Sequence, residues 1–120
     1  MSTQTTLLKE SVIRARADSK ALDMVTMDFV KIENSICRVF IICSGTSTTH
    51  ISSIADNAEW KVKQETGEVP MHIEGRMNSG WVLMDYGDVV VHIFLEEERK
   101  RFRLEELWAD SDINGVEEKS

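Results

Sequence analysis

The sequence predicts a single α/β (α+β) domain built on one mixed β-sheet with helices packed on it. Three observations carry that expectation. The apolar run Val39-Phe40-Ile41-Ile42-Cys43 is bounded by polar residues, which suits a strand buried on both faces. It is followed by Ile51, Ile54, Ala55, Ala58 and Val62, spaced as one stripe of an amphipathic helix. Residues 81–92, Trp-Val-Leu-Met-Asp-Tyr-Gly-Asp-Val-Val-Val-His, then set two runs of strand formers around turn chemistry. Strand 39–43, helix 47–66 and a later strand can form a right-handed crossover, which implies a mixed sheet.

Taken in order, residues 5–20 read as a helix. Leu8, Val12 and Ala15 recur at spacings of four and three, with Arg14, Arg16 and Lys20 elsewhere on the cylinder. A short strand over 24–29 follows, in which Val25, Met27 and Phe29 alternate with Thr26 and Asp28. Residues 31–34 are its turn. After the buried strand, Ser44-Gly45-Thr46-Ser47 breaks the chain into the helix 47–66. Ser47 is its expected N-cap and Gly67 its C′ residue. Trp60 lies off the apolar stripe, so it either covers a second contact or is partly exposed. Residues 71–74 form a short strand and 75–80 a loop. The second strand of the hairpin runs to about Leu95. Residues 96–103 suit a charged helix. Leu104, Leu107 and Trp108 share one helical face as a docking segment. From Ala109 onward only Ile113 and Val116 are apolar, so the expected organisation is one domain over 1–108 and an acidic, disordered tail over 109–120.

The hairpin carries more special residues than its fold requires. Gly87 suits the positive φ that tight turns need. With a two-residue loop at Tyr86-Gly87, Asp85 sits opposite Asp88 and Trp81 opposite His92. Trp81, Leu83, Asp85, Asp88, Val90 and His92 then share one face. Val82, Met84, Val89, Val91 and Ile93 form an apolar second face. A three-residue loop with a bulge at Gly87 would shift the pairing by one and mix the two sets. The first register is preferred because it separates a dry face from a mixed one. In the plainer alternative the two Asp residues only close the turn, which favours Asp for local reasons, and Trp81 only fills core.

Composition narrows the function. A chain of 120 residues buries roughly two-thirds of its extended surface, enough for one core. It is 42% hydrophobic and 29% charged, ordinary values for a globular protein. No apolar run approaches the ~18 residues that span a bilayer, so no membrane partner is expected. Lys9, Glu10, Arg14 and Arg16 interrupt any signal-peptide core, which points to the cytoplasm or an organelle matrix. The net charge of −7 argues against direct, sequence-specific nucleic-acid binding. It suits a basic protein partner. Cys37 and Cys43 on one extended strand would lie about 20 Å apart, too far for a disulfide, so both read as small buried residues of a reducing compartment.

Candidate chemistry is thin. Gly45-Thr46-Ser47 at a helix start can hold an anion, but one glycine also suits an ordinary strand-to-helix turn. His50, His72 and His92 fall on three different elements without ligand spacing. Asp85 and Asp88 lack a third ligand. No Ser/His/Asp or Cys/His arrangement stands out. The expectation is a binding module rather than an enzyme, with no metal and no cofactor.

The motifs resemble the ribosomal silencing factor family, also called Iojap-like proteins. The matching residues are Lys20-Ala21-Leu22-Asp23-Met24-Val25, then Phe40 to Ser47 with His50 and Ile54-Ala55-Asp56. Glu74-Gly75, Trp81 to His92, Arg99 and Leu104-Glu105-Glu106-Leu107-Trp108 complete them. The resemblance spans about residues 7–110. It implies a nucleotidyltransferase-like sheet without that fold's active site. It also implies a cytoplasmic or organellar translation repressor that binds a basic protein of the large ribosomal subunit, the one numbered fourteen, and sterically blocks the small subunit. Arg38-Val39 stand where the family usually has Asp-Tyr, and Arg101-Phe102 where it has Phe-Tyr before the Leu-Glu pair. The first bears on the partner surface and the second on docking of the last helix.

On this reading Trp81, Leu83 and Tyr86 supply apolar anchors, since Trp and Tyr dominate hot spots. Asp85, Asp88 and Glu74 pair with Lys or Arg on the partner, and His92 lies on the same face as Trp81. Two other readings remain. One is a metal-dependent nucleotidyltransferase using Gly45 to Ser47 for phosphates and Asp85 with Asp88 for Mg²⁺. The other is a homodimer whose interface is the exposed hairpin face.

Overall fold

The chain folds, in a computed structural model that describes residues 3–28, 39–75, 80–102 and 112–115, as three helices and one six-stranded sheet. The order is α1 (Thr3–Ser19), β1 (Leu22–Asp28), β2 (Val39–Gly45), α2 (Thr48–Thr66), β3 (His72–Glu74), β4 (Trp81–Asp85), β5 (Val89–Leu95), α3 (Glu96–Phe102) and β6 (Asp112–Gly115). The expected turn at 31–34, positions Cys37 and Arg38, most of the loop 75–80 and the segment 104–108 lie outside the described residues.

The strands are arranged β3-β4-β5-β2-β1-β6. β2 runs parallel to β5, and every other pair is antiparallel. The sheet is therefore mixed, as the sequence predicts. With a neighbour on each side, β2 has Val39, Ile41, Ile42 and Cys43 fully buried, which is why that stretch is apolar throughout rather than alternating. Ser44 closes it as a buried polar residue, and its hydroxyl accepts from the Arg99 guanidinium of α3 at 3.0 Å.

Both long helices cover one face. Leu8 and Val12 of α1 join Ile51, Ile54, Ala55, Ala58 and Val62 of α2 over Ile41, Cys43, Val82, Met84, Val89, Val91 and Ile93. All five residues expected on the dry face of the hairpin are in this core. The α2 boundaries follow the sequence signals. Ser47 caps the helix by accepting from the His50 amide at 3.0 Å. Gly67 ends it at φ +80°, with its N–H on the Lys63 carbonyl, a left-handed position that costs a side-chain-bearing residue about 1 kcal/mol or more.

A polar clasp joins the helix edges. The Glu65 carboxylate accepts from Ser11 at 2.7 Å and from the Arg14 guanidinium. Hydrogen bonding to Arg14 and then to Ser11 holds its pKa down to about 2. Burial, against the opposing charges of Arg99 and Arg16, pushes the Cys43 thiol up to about 12, so it is an inert core residue.

The disordered tail expected over 109–120 is corrected at residues 112–115, which form β6 and pair with β1. A strand edge is satisfied by main-chain hydrogen bonds and needs no apolar side chains, so composition gives no warning of it. Among the described residues no helix is long and apolar enough to cross a membrane.

Candidate functional site

The face of the sheet turned away from α1 and α2 holds the candidate site. Residues paired across neighbouring strands point their side chains the same way, so the register assembles the face in rows. One row runs Glu74, Leu83, His92, Ile42, Val25. The row on one side of it is Trp81, Phe94, Ser44. On the other side lie His72, Asp85, Val90, Phe40 and Met27. Met27, Ile42 and Phe94 are buried, with Val25, Phe40 and Trp81 partly buried against them. Exposure rises towards the β3 edge. His92 is buried, Leu83 and Asp85 are partly buried, and Glu74 is exposed. The Glu74 carboxylate lies 2.9 Å from Nε2 of His72, two residues back on the same face.

The hairpin turn differs from the expected one by a single residue. Its loop is Gly87-Asp88, and the Tyr86 N–H donates to the Val89 carbonyl at 2.8 Å. Trp81 is therefore opposite Phe94, not His92, and His92 is opposite Leu83. Gly87 takes φ +93° at the first central position, where a type II′ turn requires glycine. The Gly87 N–H donates to Oδ1 of Asp85 at 2.7 Å, an Asx contact that fixes the loop there. Moving both ends of the loop by one residue changes the pairing by two, which preserves side-chain parity. Hence Trp81, Leu83, Asp85, Val90 and His92 share a face as expected, although their cross-strand partners are different.

Two expected site residues leave the face. Asp88 is in the turn rather than opposite Asp85, and its Oδ2 accepts from Thr5 of α1 at 3.1 Å. Tyr86 is buried in the helix-side core, where burial pushes its hydroxyl pKa up. It cannot serve as an exposed anchor, because the loop begins after it rather than at it. Conversely, Phe94, Phe40 and Val25 belong to the face and were not singled out. The two-residue strand period that groups Val90 with His92 points to Phe94 as well.

The aromatic centre of the face is ordered. The Trp81 indole N–H donates to Nδ1 of His92 at 3.2 Å. The Trp81 ring stacks on Phe94 with centroids 5.2 Å apart and on His92 at 5.7 Å. Phe40 tilts against His92 at 4.8 Å. Burial drives the His92 pKa down to about 4, so the imidazole is neutral near pH 7.

The features weighed for catalysis are engaged elsewhere. The Thr46 N–H at the start of α2 donates to Nδ1 of His50 at 2.9 Å, and Nε2 of His50 lies 2.9 Å from the Ser19 carbonyl. With Nδ1 accepting a backbone N–H, the ring proton is on Nε2 and bonds the end of α1. This is a strand-to-helix turn stitched to a neighbouring helix. Among the described residues no group of three or more His, Cys, Asp or Glu can hold a metal ion.

Comparison with known proteins agrees with this architecture. A family model described as "Ribosomal silencing factor during starvation" matches residues 2–120. A ribosomal silencing factor of Halalkalibacterium halodurans is 39% identical over 112 residues, covering 91% of this chain and 94% of that one. A crystal structure of a Chromobacterium violaceum protein superposes with a TM-score of 0.78 at 28% identity, covering 100% of this chain and 92% of that one. A more distant relative, named mitochondrial assembly of ribosomal large subunit protein 1, from Mus musculus, is 34% identical over 71 residues. That match covers 58% of this chain and 31% of the mouse protein.

Proposed function

The chain belongs to the ribosomal silencing factor family, and from that premise we propose that it represses translation by binding the large ribosomal subunit. The partner in this reading is the basic protein numbered fourteen on the subunit-joining surface. Occupying that surface bars the small subunit sterically, and no reaction is catalysed. The cytoplasm is the place of action.

The observation that carries the reading is the mixed sheet face. Trp81 and Leu83 are partly buried side by side on β4, flanked by Asp85 and by the exposed Glu74. Such a face offers one rigid aromatic anchor within an acidic rim, the combination that a basic partner recognises through hot-spot burial and charge complementarity. The net charge of −7 acts in the same direction at long range. Association of the mouse relative's name with large-subunit assembly supports the choice of subunit.

Binding to the purified large-subunit protein tests it. Wild type is expected to form a complex, and Trp81→Ala to bind at least about 30-fold more weakly, the loss of roughly 2 kcal/mol that defines a hot spot. Equal binding by the two proteins, with both folded, would remove this face from the interface.

A further inference from the structure

His92 lies in the middle of the proposed binding face, yet it is only 4% exposed. A side chain so covered makes no contact area of its own. Its visible link to the surface is the hydrogen bond that Nδ1 accepts from the Trp81 indole at 3.2 Å, with the two rings stacked at an interplanar angle of 24°.

We infer that His92 is a positioning residue: it acts through Trp81, fixing the indole in the orientation that the partner meets. The inference rests on the reading above, in which Trp81 is the anchor. Its chemistry is specific. An indole N–H only donates, so its partner must present a lone pair. Nδ1 presents one only when the imidazole is neutral and carries its proton on Nε2. The apolar surroundings, with Phe40 at 4.8 Å, Phe94 at 6.2 Å and Ile42 as the strand neighbour, keep the ring in that uncharged form.

The function of the bond follows from Trp81's position. The residue is partly buried at the first position of β4. Stacking on Phe94 at 15° sets the plane of the ring. The bond to His92 selects the edge. A partner then meets a preformed surface and does not have to immobilise the ring on binding, a cost worth roughly 2- to 10-fold in affinity for one side chain.

Two substitutions separate this role from packing. His92→Phe keeps a ring in the stack and removes the acceptor. His92→Asn loses the ring but places Oδ1 close to where Nδ1 stood. The direct readout is the Trp81 indole correlation in ¹H–¹⁵N spectra, assigned with Trp81→Phe, together with its hydrogen-exchange rate. A long-range ¹H–¹⁵N spectrum of wild type reports the His92 tautomer without any substitution. The second readout is affinity for purified large subunits.

The expected result is an Nε2-protonated His92 in wild type and a single, slowly exchanging Trp81 indole. In His92→Phe the indole signal should broaden and exchange faster, with affinity about 2- to 10-fold weaker. His92→Asn should recover part of both. An Nδ1-protonated His92 in wild type would overturn the inference outright, even if both variants fail to fold. So would a folded His92→Phe with an unchanged indole signal and unchanged affinity. If Trp81→Ala loses binding while His92→Phe keeps it, positioning fails and the functional reading stands. If wild type does not bind large subunits, the functional reading fails, and the spectra still decide whether His92 fixes the indole.

Discussion

Trp81, His92 and Glu65 show how single residues take roles that the sequence announces only in part. That Trp81 lies on the mixed face was legible, because strand parity survives the one-residue shift of the turn. That its indole bonds His92 was not, because the bond depends on which residues face each other. Tyr86 shows the limit most plainly. Written as a loop residue it looks like an anchor, but it is the last residue before the loop and enters the core. Trp81→Ala should cost about 1–2 kcal/mol in a urea midpoint, below the roughly 3–5 kcal/mol of a fully buried aromatic, because the ring is only partly covered. A larger fall would return Trp81 to the core. Titration gives a second test. The unfolded His92 takes up a proton near pH 6.5, whereas burial holds the folded one to about 4. Stability is therefore complete above pH 6.5 and declines as pH falls towards 4, by on the order of 3 kcal/mol. Urea midpoints across this window should lose that slope in His92→Phe. Glu65 acts in a lower window. Its folded pKa of about 2 lies below the ordinary carboxylate value, so its contribution is present above about pH 4.5 and is lost as pH falls towards 2. Glu65→Gln should flatten the acid limb of the stability curve there.

At the scale of elements, the best-read segment is α2, since both of its ends carry chemical signals. Ser47 accepts from the His50 amide, and Ser47→Ala should cost about 1 kcal/mol. Gly67 stands at φ +80° with nothing within 4 Å of a built Cβ, so Gly67→Ala should cost a similar amount through backbone strain alone. Thermal or urea unfolding checks both; no loss at Gly67 would mean that the helix end can relax. The exposed Trp60 (59%) settles the alternative that periodicity left open. The hairpin was legible as a hairpin because its apolar faces are distinct. Its turn was misplaced because Tyr86-Gly87 and Gly87-Asp88 both read as turn pairs, and only the Asp85 contact with the Gly87 N–H chooses between them. β6 was not legible at all. Its register with β1 is made by the main chain, which leaves no apolar pattern in Asp-Ile-Asn-Gly.

At the scale of the molecule, the described residues form a sheet with one face covered by α1 and α2 and an aromatic second face bordered by Asp85 and Glu74. Mixed sheet, helix placement and family were all legible, because they depend on long apolar periods and on motifs in a fixed order. The composition of the aromatic face was legible less well, since it is assembled from β3, β4, β5, β2 and β1, whose order is not written locally. Charge acts at this scale too. Asp85→Asn with Asp88→Asn keeps an oxygen to accept from Gly87 and Thr5, so the turn should hold while two charges are lost. Association with a basic partner should then slow at low salt and approach wild type at high salt, where screening shortens the Debye length below its physiological value of about 8 Å. Unchanged rates at low salt would leave these carboxylates as turn formers only. The central claim, that this chain silences ribosomes by occupying the large subunit, is tested most directly by sedimentation with isolated large subunits, isolated small subunits and a mixture of the two. The account predicts co-sedimentation with large subunits, little with small ones, and fewer joined ribosomes in the mixture; equal binding to both subunits, or undiminished joining, would contradict it.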